Sequence, residues 1–552
     1  MSLLTAIIVL PLLTALLLVF IPRNYRPVFG WLTWLTTLAT LLLALILFFT
    51  FDAAEAVNGF KFDHQATWLG FKDASLGFPL GVESLGIRYH VGVDGINLGL
   101  IVMGAIVAFA AACVSWEIKT HEKEYYILLL LMIGGILGAF ASLDLFYFYF
   151  FHELALVPTF IMIGVWGRGE NKNYATFQIT LYLSIGALLA LFGLLALYVQ
   201  SGAHTFDIVE LTRHLQAKPL GLATQNFIFP LLLFGFGILV SLWPFHSWAP
   251  LGYGAAPTAT AMLHAGVLKK FGVYGLIRVA LPLMPEGAQS WLQIAASLAL
   301  GNILYCGLVA MRQRNLNLLI GNSSVAHMGF VFLGIASLSL IGVTGAVLVM
   351  IAHGLLAALT FGLSGYLYQQ TNTLNIDEMG GFLRRMPFIG AAMVMAMLAG
   401  CGLPGFGNFA GEILVLFGVW KSPALMGPEP HLNWFVVVAA WGALVIGAVY
   451  MLRGVRNILH GPLPEKWALL KDATALAKIP FVLLLAALLA LGCWPRLMTE
   501  KIEPSARLVV NLATRQPETT LVKKPPKTPL KKGKLANDAK AKKAGKAAGA
   551  RK

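Results

Sequence analysis

The chain has 552 residues, 58% of them hydrophobic and only 12% charged, with a mean hydropathy of +0.76. Soluble domains carry about 25% charged residues, so the composition excludes a soluble globular protein and indicates a chain that crosses a membrane many times. The formal net charge of +15 resembles a nucleic-acid signal, but residues 496–552 hold 16 basic and 4 acidic residues, against 24 and 21 in the rest of the chain.

Apolar runs of about 20 residues, the length that crosses a bilayer, begin near Leu3, Val28, Val91, Tyr125, Leu143, Tyr174, Gln225, Ala255, Gln289, Leu316, Gly342, Met386, Trp434 and Ile479. These fourteen runs predict an all-α polytopic membrane protein, with a turn near 337–341 dividing the tenth span from the eleventh. The first run lacks a basic leader and a small-residue cleavage site and is followed by Pro22 and Arg23, so it is expected to be a retained span. The loop 51–91 ends in the alternation Ile87, Tyr89, Val91, Val93, whose period of two predicts a short β-hairpin on the membrane surface.

Two spans are interrupted alike, the seventh by WPFHSWAP at 243–250 and the twelfth by GLPGFGNF at 402–409. Proline removes a backbone donor and clashes with the preceding turn, and such breaks survive at membrane depth only where the freed carbonyls meet protein or water. Five spans separate the breaks, the layout of two inverted five-helix repeats with discontinuous helices. The expected organisation is an N-terminal group of spans with its outer loop in 1–123, a first repeat in 124–283, a second in 284–460, a last span in 461–496 and a Lys-rich disordered tail in 497–552. That tail has no interleaved aromatic residues to stack on bases, so no nucleic-acid partner is expected.

Lys and Arg number fifteen in the loops after odd-numbered spans and seven in the others. By the positive-inside rule the odd loops are cytoplasmic and the N-terminus lies outside; an even number of spans puts the C-terminus and its Lys-rich tail outside as well, the alternative being one span fewer or more. The cysteines Cys113, Cys306, Cys401 and Cys493 are scattered singly without a CxxC pair, so no zinc or iron–sulfur site is expected in this chain.

The functional signal is charge inside apolar runs. Lys269 and Lys270 lie in the middle of the run 255–282, Glu153 roughly ten residues into the fifth span, and Glu412 just after the break in the twelfth. An ammonium in hydrocarbon is costly wherever it cannot snorkel or hydrate. A carboxylate at that depth is a candidate proton carrier, because leaving water penalises its charged form; the alternative is a charge satisfied by a helix N-terminus or a lysine. His327 and His353 stand singly in consecutive spans, and imidazole titrates near physiological pH, so both are relay candidates, with a satisfied core histidine as the alternative. His152 and His264 are weaker candidates, and Asp144 reads as an interfacial helix cap. Neighbours on a helix point about 100° apart, so Lys269 and Lys270 cannot face one channel.

Together these segments resemble the antiporter-like membrane subunits of respiratory complex I, the proton-translocating NADH-quinone oxidoreductase, and among them the subunit M family. The stretches that carry the resemblance are YHVGVDGINL at 89–98, FFHELALVP around Glu153, WPFHSWAP at 243–250, the segment 255–278 around Lys270, SSVAHMGFV around His327, IAHGLLAA around His353 and GLPGFGNFAGE ending at Glu412. The resemblance implies that Glu153 is the fifth-span glutamate, Lys270 the central lysine, His327 and His353 the bridging histidines, and Glu412 the outward-side residue of a proton relay.

It further implies a subunit without redox chemistry of its own, in a bacterial inner (plasma) membrane. Its partners would be the other membrane subunits, including two sister antiporter-like subunits, with NAD, FMN, iron–sulfur clusters and quinone held by partner chains. A Mrp-type cation/proton antiporter subunit, or the membrane subunit of a hydrogenase-linked relative, would share the same core. Two departures stand out: Leu239 occupies the position where the family carries a lysine paired with the fifth-span glutamate, and Leu251-Gly252-Tyr253 replaces Asp-Ala-His. Lys269 is an additional cation beside Lys270, expected to replace the absent lysine as the partner of Glu153, with snorkelling or contact with another subunit as the alternative.

Overall fold

Backbone that lies in lipid must satisfy its own hydrogen bonds, and an apolar chain meets that demand with helices. The computed structural model describes residues 2–52, 59–67, 87–426 and 433–515. In chain order the elements are α1 (Leu3–Phe20), α2 (Arg26–Thr50), β1 (Lys61–Thr67), β2 (Arg88–Val93), α3 (Gly95–Val114), α4 (Glu122–Ala141), α5 (Leu145–Trp166), α6 (Lys172–Ser201), α7 (Ile208–Ala217), α8 (Leu222–Val240) and α9 (Trp248–Ala255). There follow α10 (Thr258–Leu263), α11 (Lys270–Gly275), α12 (Leu281–Leu283), α13 (Pro285–Gly301), α14 (Gly307–Arg312), α15 (Leu316–Ala336), α16 (Leu340–Thr371), α17 (Pro387–Gly400) and α18 (Gly407–Trp420). The last are α19 (Pro423–Met426), α20 (Trp434–Trp441), α21 (Ala448–Leu459), α22 (Ala475–Cys493) and α23 (Arg496–Thr514).

Among the described residues, twelve helical segments are long and apolar enough to cross a membrane. Two further apolar stretches are interrupted: α17 and α18 are separated by the turn at 401–406, and the run from α10 to α12 is divided by π-helical turns at His264–Leu268 and Leu276–Ala280. The π-turns differ from the continuous eighth span read from the sequence, because hydropathy does not distinguish a bond to the fifth residue back from one to the fourth. α15 and α16 are buried along nearly their whole length, whereas α6 and α22 turn a broad apolar face outward.

Polar caps fix where the helices begin. Asp94 and Asn97 form a capping box on α3, and the Asp144 carboxylate accepts from the Phe146 and Tyr147 amides at the start of α5, the cap read from its sequence. α16 and α18 pack backbone to backbone through glycine: a Cβ on Gly418 would lie 2.3 Å from the Gly342 backbone, and one on Gly345 2.7 Å from the Val415 amide. Small residues let two membrane helices approach this closely.

The two ends of the bundle hold separate sets of polar contacts. At one end Tyr89 donates to Thr5 (3.3 Å), Arg88 pairs with Glu210 (2.7 Å) and Lys501 donates to the Phe51 carbonyl (3.0 Å). At the other, Glu117 pairs with Arg168 (2.6 Å) and accepts from Thr258 and Gln369, and Lys466 pairs with Glu378 (3.2 Å). The N-terminus, the β-strands, α7 and α23 therefore share one end.

Three differences from the sequence reading have physical causes. Residues 497–514, assigned to the disordered tail, belong to the amphipathic helix α23, which packs on α3, α12 and α16. Its Ser505 accepts from the Gly95 amide (3.0 Å), so an apolar stripe too sparse to read as a span still finds a surface to cover. Residues 516–552, the rest of that tail, lie outside the described residues. β1 and β2 do pair antiparallel, but β2 shows no alternation of burial: His90 and Gly92 are covered along with Val91 and Val93, and the connection 68–86 lies outside the described residues. Arg278, counted from sequence as a loop cation, is buried in the second π-turn and paired with Asp94 at 2.7 Å.

Candidate functional site

The first π-turn sets the directions of the two lysines. The Lys269 amide bonds the His264 carbonyl, five residues back (3.1 Å), and the helix resumes at Lys270. Lys270 is fully buried; its Nζ donates to the Ala265 carbonyl (2.6 Å) and lies 3.0 Å from His353 Nδ1 on α16. The His353 and His327 rings are 5.4 Å apart, centroid to centroid, bridging α16 and α15. His327 Nε2 is 3.7 Å from Glu412 Oε1 on α18. Lys270, His353, His327 and Glu412 thus form a line of titratable groups through the buried interior.

His327 sits between two acceptors. Its Nδ1 lies 2.8 Å from the Ser323 carbonyl, and its Nε2 3.2 Å from the Gly400 carbonyl, which the break after α17 leaves free of the helix ladder. Neutral imidazole has one N–H and imidazolium two, so only the protonated ring satisfies both carbonyls. Glu412, 6% exposed, lies against the same break: Gly402 has φ +69°, and a Cβ there would stand 2.8 Å from Glu412 Oε2. The break in the twelfth span therefore supplies a carbonyl to His327 and room for Glu412. His327, Gly400, Cys401, Glu412 and Tyr450 line a small cavity between α15 and α21.

The break in the seventh span has a different partner. Asn302, in a π-turn at Asn302–Cys306, accepts from the Trp243 amide (2.6 Å) and donates to the carbonyls of Ser241 (2.9 Å) and Val325 (3.1 Å). One side chain thereby replaces the hydrogen bonds that the proline-bearing turn gives up. The sequence reading missed Asn302, although a lone asparagine in an apolar run carried the signal. It also missed Ser323, whose hydroxyl lies 3.3 Å from His327 Nδ1 and accepts from Tyr450 (3.2 Å).

The structure does not bring Glu153 to either lysine. Lys269 Nζ donates to Ser324 Oγ (2.9 Å) and the Ser324 carbonyl (3.3 Å) on α15, away from α5. Glu153 instead faces His152 at 3.4 Å, and the His152 ring stacks on Phe271 at 4.0 Å. The expected Lys269–Glu153 pairing is therefore wrong. The reason is rotational: one lysine faces α15 and the other α16, which leaves Phe271 as the residue of this segment packed on His152. Leu239 is buried in α8, and no ion pair joins Glu153 to a lysine among the described residues. Glu153 keeps a 32% exposed side chain, unlike the other members of the set. Of the weaker candidates, His264 is buried against Trp248 and Tyr253.

The chain is similar to known proteins over most of its length. Residues 142–427 match the family described as NADH:quinone oxidoreductase/Mrp antiporter, TM. The chain is 33% identical over 525 residues to NADH-quinone oxidoreductase subunit M of Rhodobacter capsulatus, covering 92% of this chain and 97% of that one. It is 34% identical over 427 residues to NAD(P)H-quinone oxidoreductase chain 4 of Gloeobacter violaceus, covering 77% and 80%. Its fold superposes on a chain of respiratory complex I from Thermus thermophilus with a TM-score of 0.79 at 28% identity, covering 93% and 99%. A chain of the Mrp complex from Dietzia gives 0.76 at 17% identity, covering 94% and 98%, a likeness of fold. The chain belongs to the family of antiporter-like membrane subunits of NADH:quinone oxidoreductases and Mrp antiporters, on the subunit M branch.

Proposed function

We propose that this chain is the proton-translocating membrane subunit of an NADH-quinone oxidoreductase. The observation that carries the reading is the buried line from Lys270 through His353 and His327 to Glu412. A proton on Lys270 Nζ passes to His353, crosses to His327, and leaves through Glu412 beside the broken span. Each step breaks one N–H or O–H bond and forms another, and no electron moves in this chain. NAD, FMN, iron–sulfur clusters and quinone belong to partner chains in this reading, and the two sister antiporter-like subunits lie in the same membrane.

Glu153 is the group that answers to a neighbour, because it alone of the set is substantially exposed. The Lys/Arg bias places the odd loops in the cytoplasm of a bacterial cell, with both termini outside the inner membrane. The test is purification of the assembled complex in mild detergent, followed by reconstitution into vesicles. Co-purification of an NADH-oxidising flavoprotein, with proton uptake lost in Lys270→Met, supports the reading. A complex that assembles with Lys270→Met and pumps at the parent level overturns it.

A further inference from the structure

The seam between α9, the first π-turn and α15 holds polar groups that the path above does not use. Lys269 is 1% exposed and spends its hydrogen bonds on Ser324 alone. Its Nζ also lies 5.5 Å from the centroid of the Tyr253 ring, near the limit of a cation–π contact. Tyr253 is fully buried, and its hydroxyl has no hydrogen-bond partner among the described residues; neither has His264 Nδ1. The Tyr253 and His264 rings meet edge to face at 5.3 Å, and Trp248 stacks on His264 at 5.6 Å while donating its own N–H to the Ile238 carbonyl (3.0 Å). Trp248 thus fixes His264, and His264 fixes Tyr253.

A buried tyrosine hydroxyl ordinarily finds a partner. Two such orphans on touching rings, beside an ammonium with a third donor to spare, supply the two to four polar partners that a buried water needs. We infer that Lys269, Tyr253 and His264 form a second proton-loading site, which binds water between the two orphaned atoms and delivers its proton across Ser324 to His327 on the next turn of α15. The inference rests on the proton-translocating reading and adds a carrier to it. In loading, Lys269 starts as the neutral amine: an O–H bond of a hydronium held by Tyr253 Oη and His264 Nδ1 breaks, leaving water, as the Nζ lone pair forms the third N–H bond of the ammonium. In release that N–H breaks and the proton moves along α15, where Tyr450 donates to the Ser323 hydroxyl and that hydroxyl lies 3.3 Å from His327 Nδ1. The next residue, Lys270, delivers through His353 to the same histidine. Charge on one lysine disfavours charge on its neighbour, so the two load in alternation.

The experiment uses the assembled complex in vesicles and reads protons pumped per NADH oxidised, together with the solvent deuterium isotope effect on turnover. Lys269→Met, Tyr253→Phe and Lys270→Met are compared. Tyr253→Phe keeps the ring beside the ammonium and removes only the hydroxyl. A lower ratio in both Lys269→Met and Tyr253→Phe, with a changed isotope effect in Tyr253→Phe, is the expected result. A parent ratio and isotope effect in those two, with Lys270→Met defective, overturns the second site and leaves the function intact. A parent ratio in all three overturns the proton-translocating reading itself. If Lys269→Met fails to assemble, Tyr253→Phe decides alone.

Discussion

Lys270 Nζ lies 3.0 Å from His353 Nδ1, across the seam between α11 and α16. The contact makes the lysine useful as a carrier only if it can give its proton up. Lys270→Arg keeps a cation there, but guanidinium does not release its proton. The arginine variant is therefore expected to assemble and to lose most coupled pumping, as Lys270→Met does. Vesicle pumping measured against NADH oxidation checks it; full pumping by the arginine variant would show that a fixed charge suffices.

Gly402 holds Glu412 in place from the backbone side. At φ +69° an alanine costs about 1–2 kcal/mol, and its Cβ would stand 2.8 Å from Glu412 Oε2. Gly405, at φ +103° with nothing within 4 Å of a Cβ, is the matched control. Both alanine variants should lower thermal stability, and Gly402→Ala alone should lower pumping beyond that loss. Equal pumping in the two variants would separate Glu412 from the glycine.

Asn302 satisfies the broken seventh span with two hydrogen bonds and ties to Val325 on α15 with a third. Asn302→Ala strands the Trp243 amide and is expected to cost about 1–3 kcal/mol, read as a lower unfolding midpoint of the purified complex. Asn302→Asp keeps the acceptor for Trp243 and loses both donors, so it should remain destabilised. A parent midpoint in both variants would mean that water replaces the side chain.

His90 is buried between two carboxylates outside the spans: its Nδ1 bonds Asp207, and its Nε2 lies 2.7 Å from Asp63. Burial alone would lower the pKa of His90, but the hydrogen bond and charge of Asp207, joined by Asp63, raise it. Burial alone would raise Asp207, and the His90 bond with the Glu210 and Val209 amides lowers it instead. The histidine's contribution is complete below its ordinary value of about 6.5 and fades as pH rises through the raised value. The aspartate's is complete above about 3.9 and fades as pH falls through the lowered value. Protection of the β1 and β2 amides, taken as the intrinsic over the observed exchange rate, should therefore be greatest in mild acid and fall at both extremes. Asp207→Asn should flatten that profile; an unchanged profile would rule the pair out as its source.

Composition by itself determined that the chain crosses the membrane, because about 20 apolar residues have no other stable place. The same logic located both breaks, since proline and glycine signal a lost helical bond wherever they stand. The costly groups Lys270, His327, His353 and Glu412 could be picked out one by one, each being a polar side chain in an apolar run. What the sequence could not hold was rotation about a helix axis. A π-turn at His264–Leu268 aims Lys269 at Ser324 and Lys270 at His353, so the expected partnership of Lys269 with Glu153 failed while His152 and Phe271 took the place between them. Asn302, Ser323 and Tyr450 acquire their meaning only when α15 meets its neighbours, and α23 only when α3 offers it a surface. Hydropathy fixes which residues leave water, while the direction in which each side chain points is settled by packing among helices far apart in sequence.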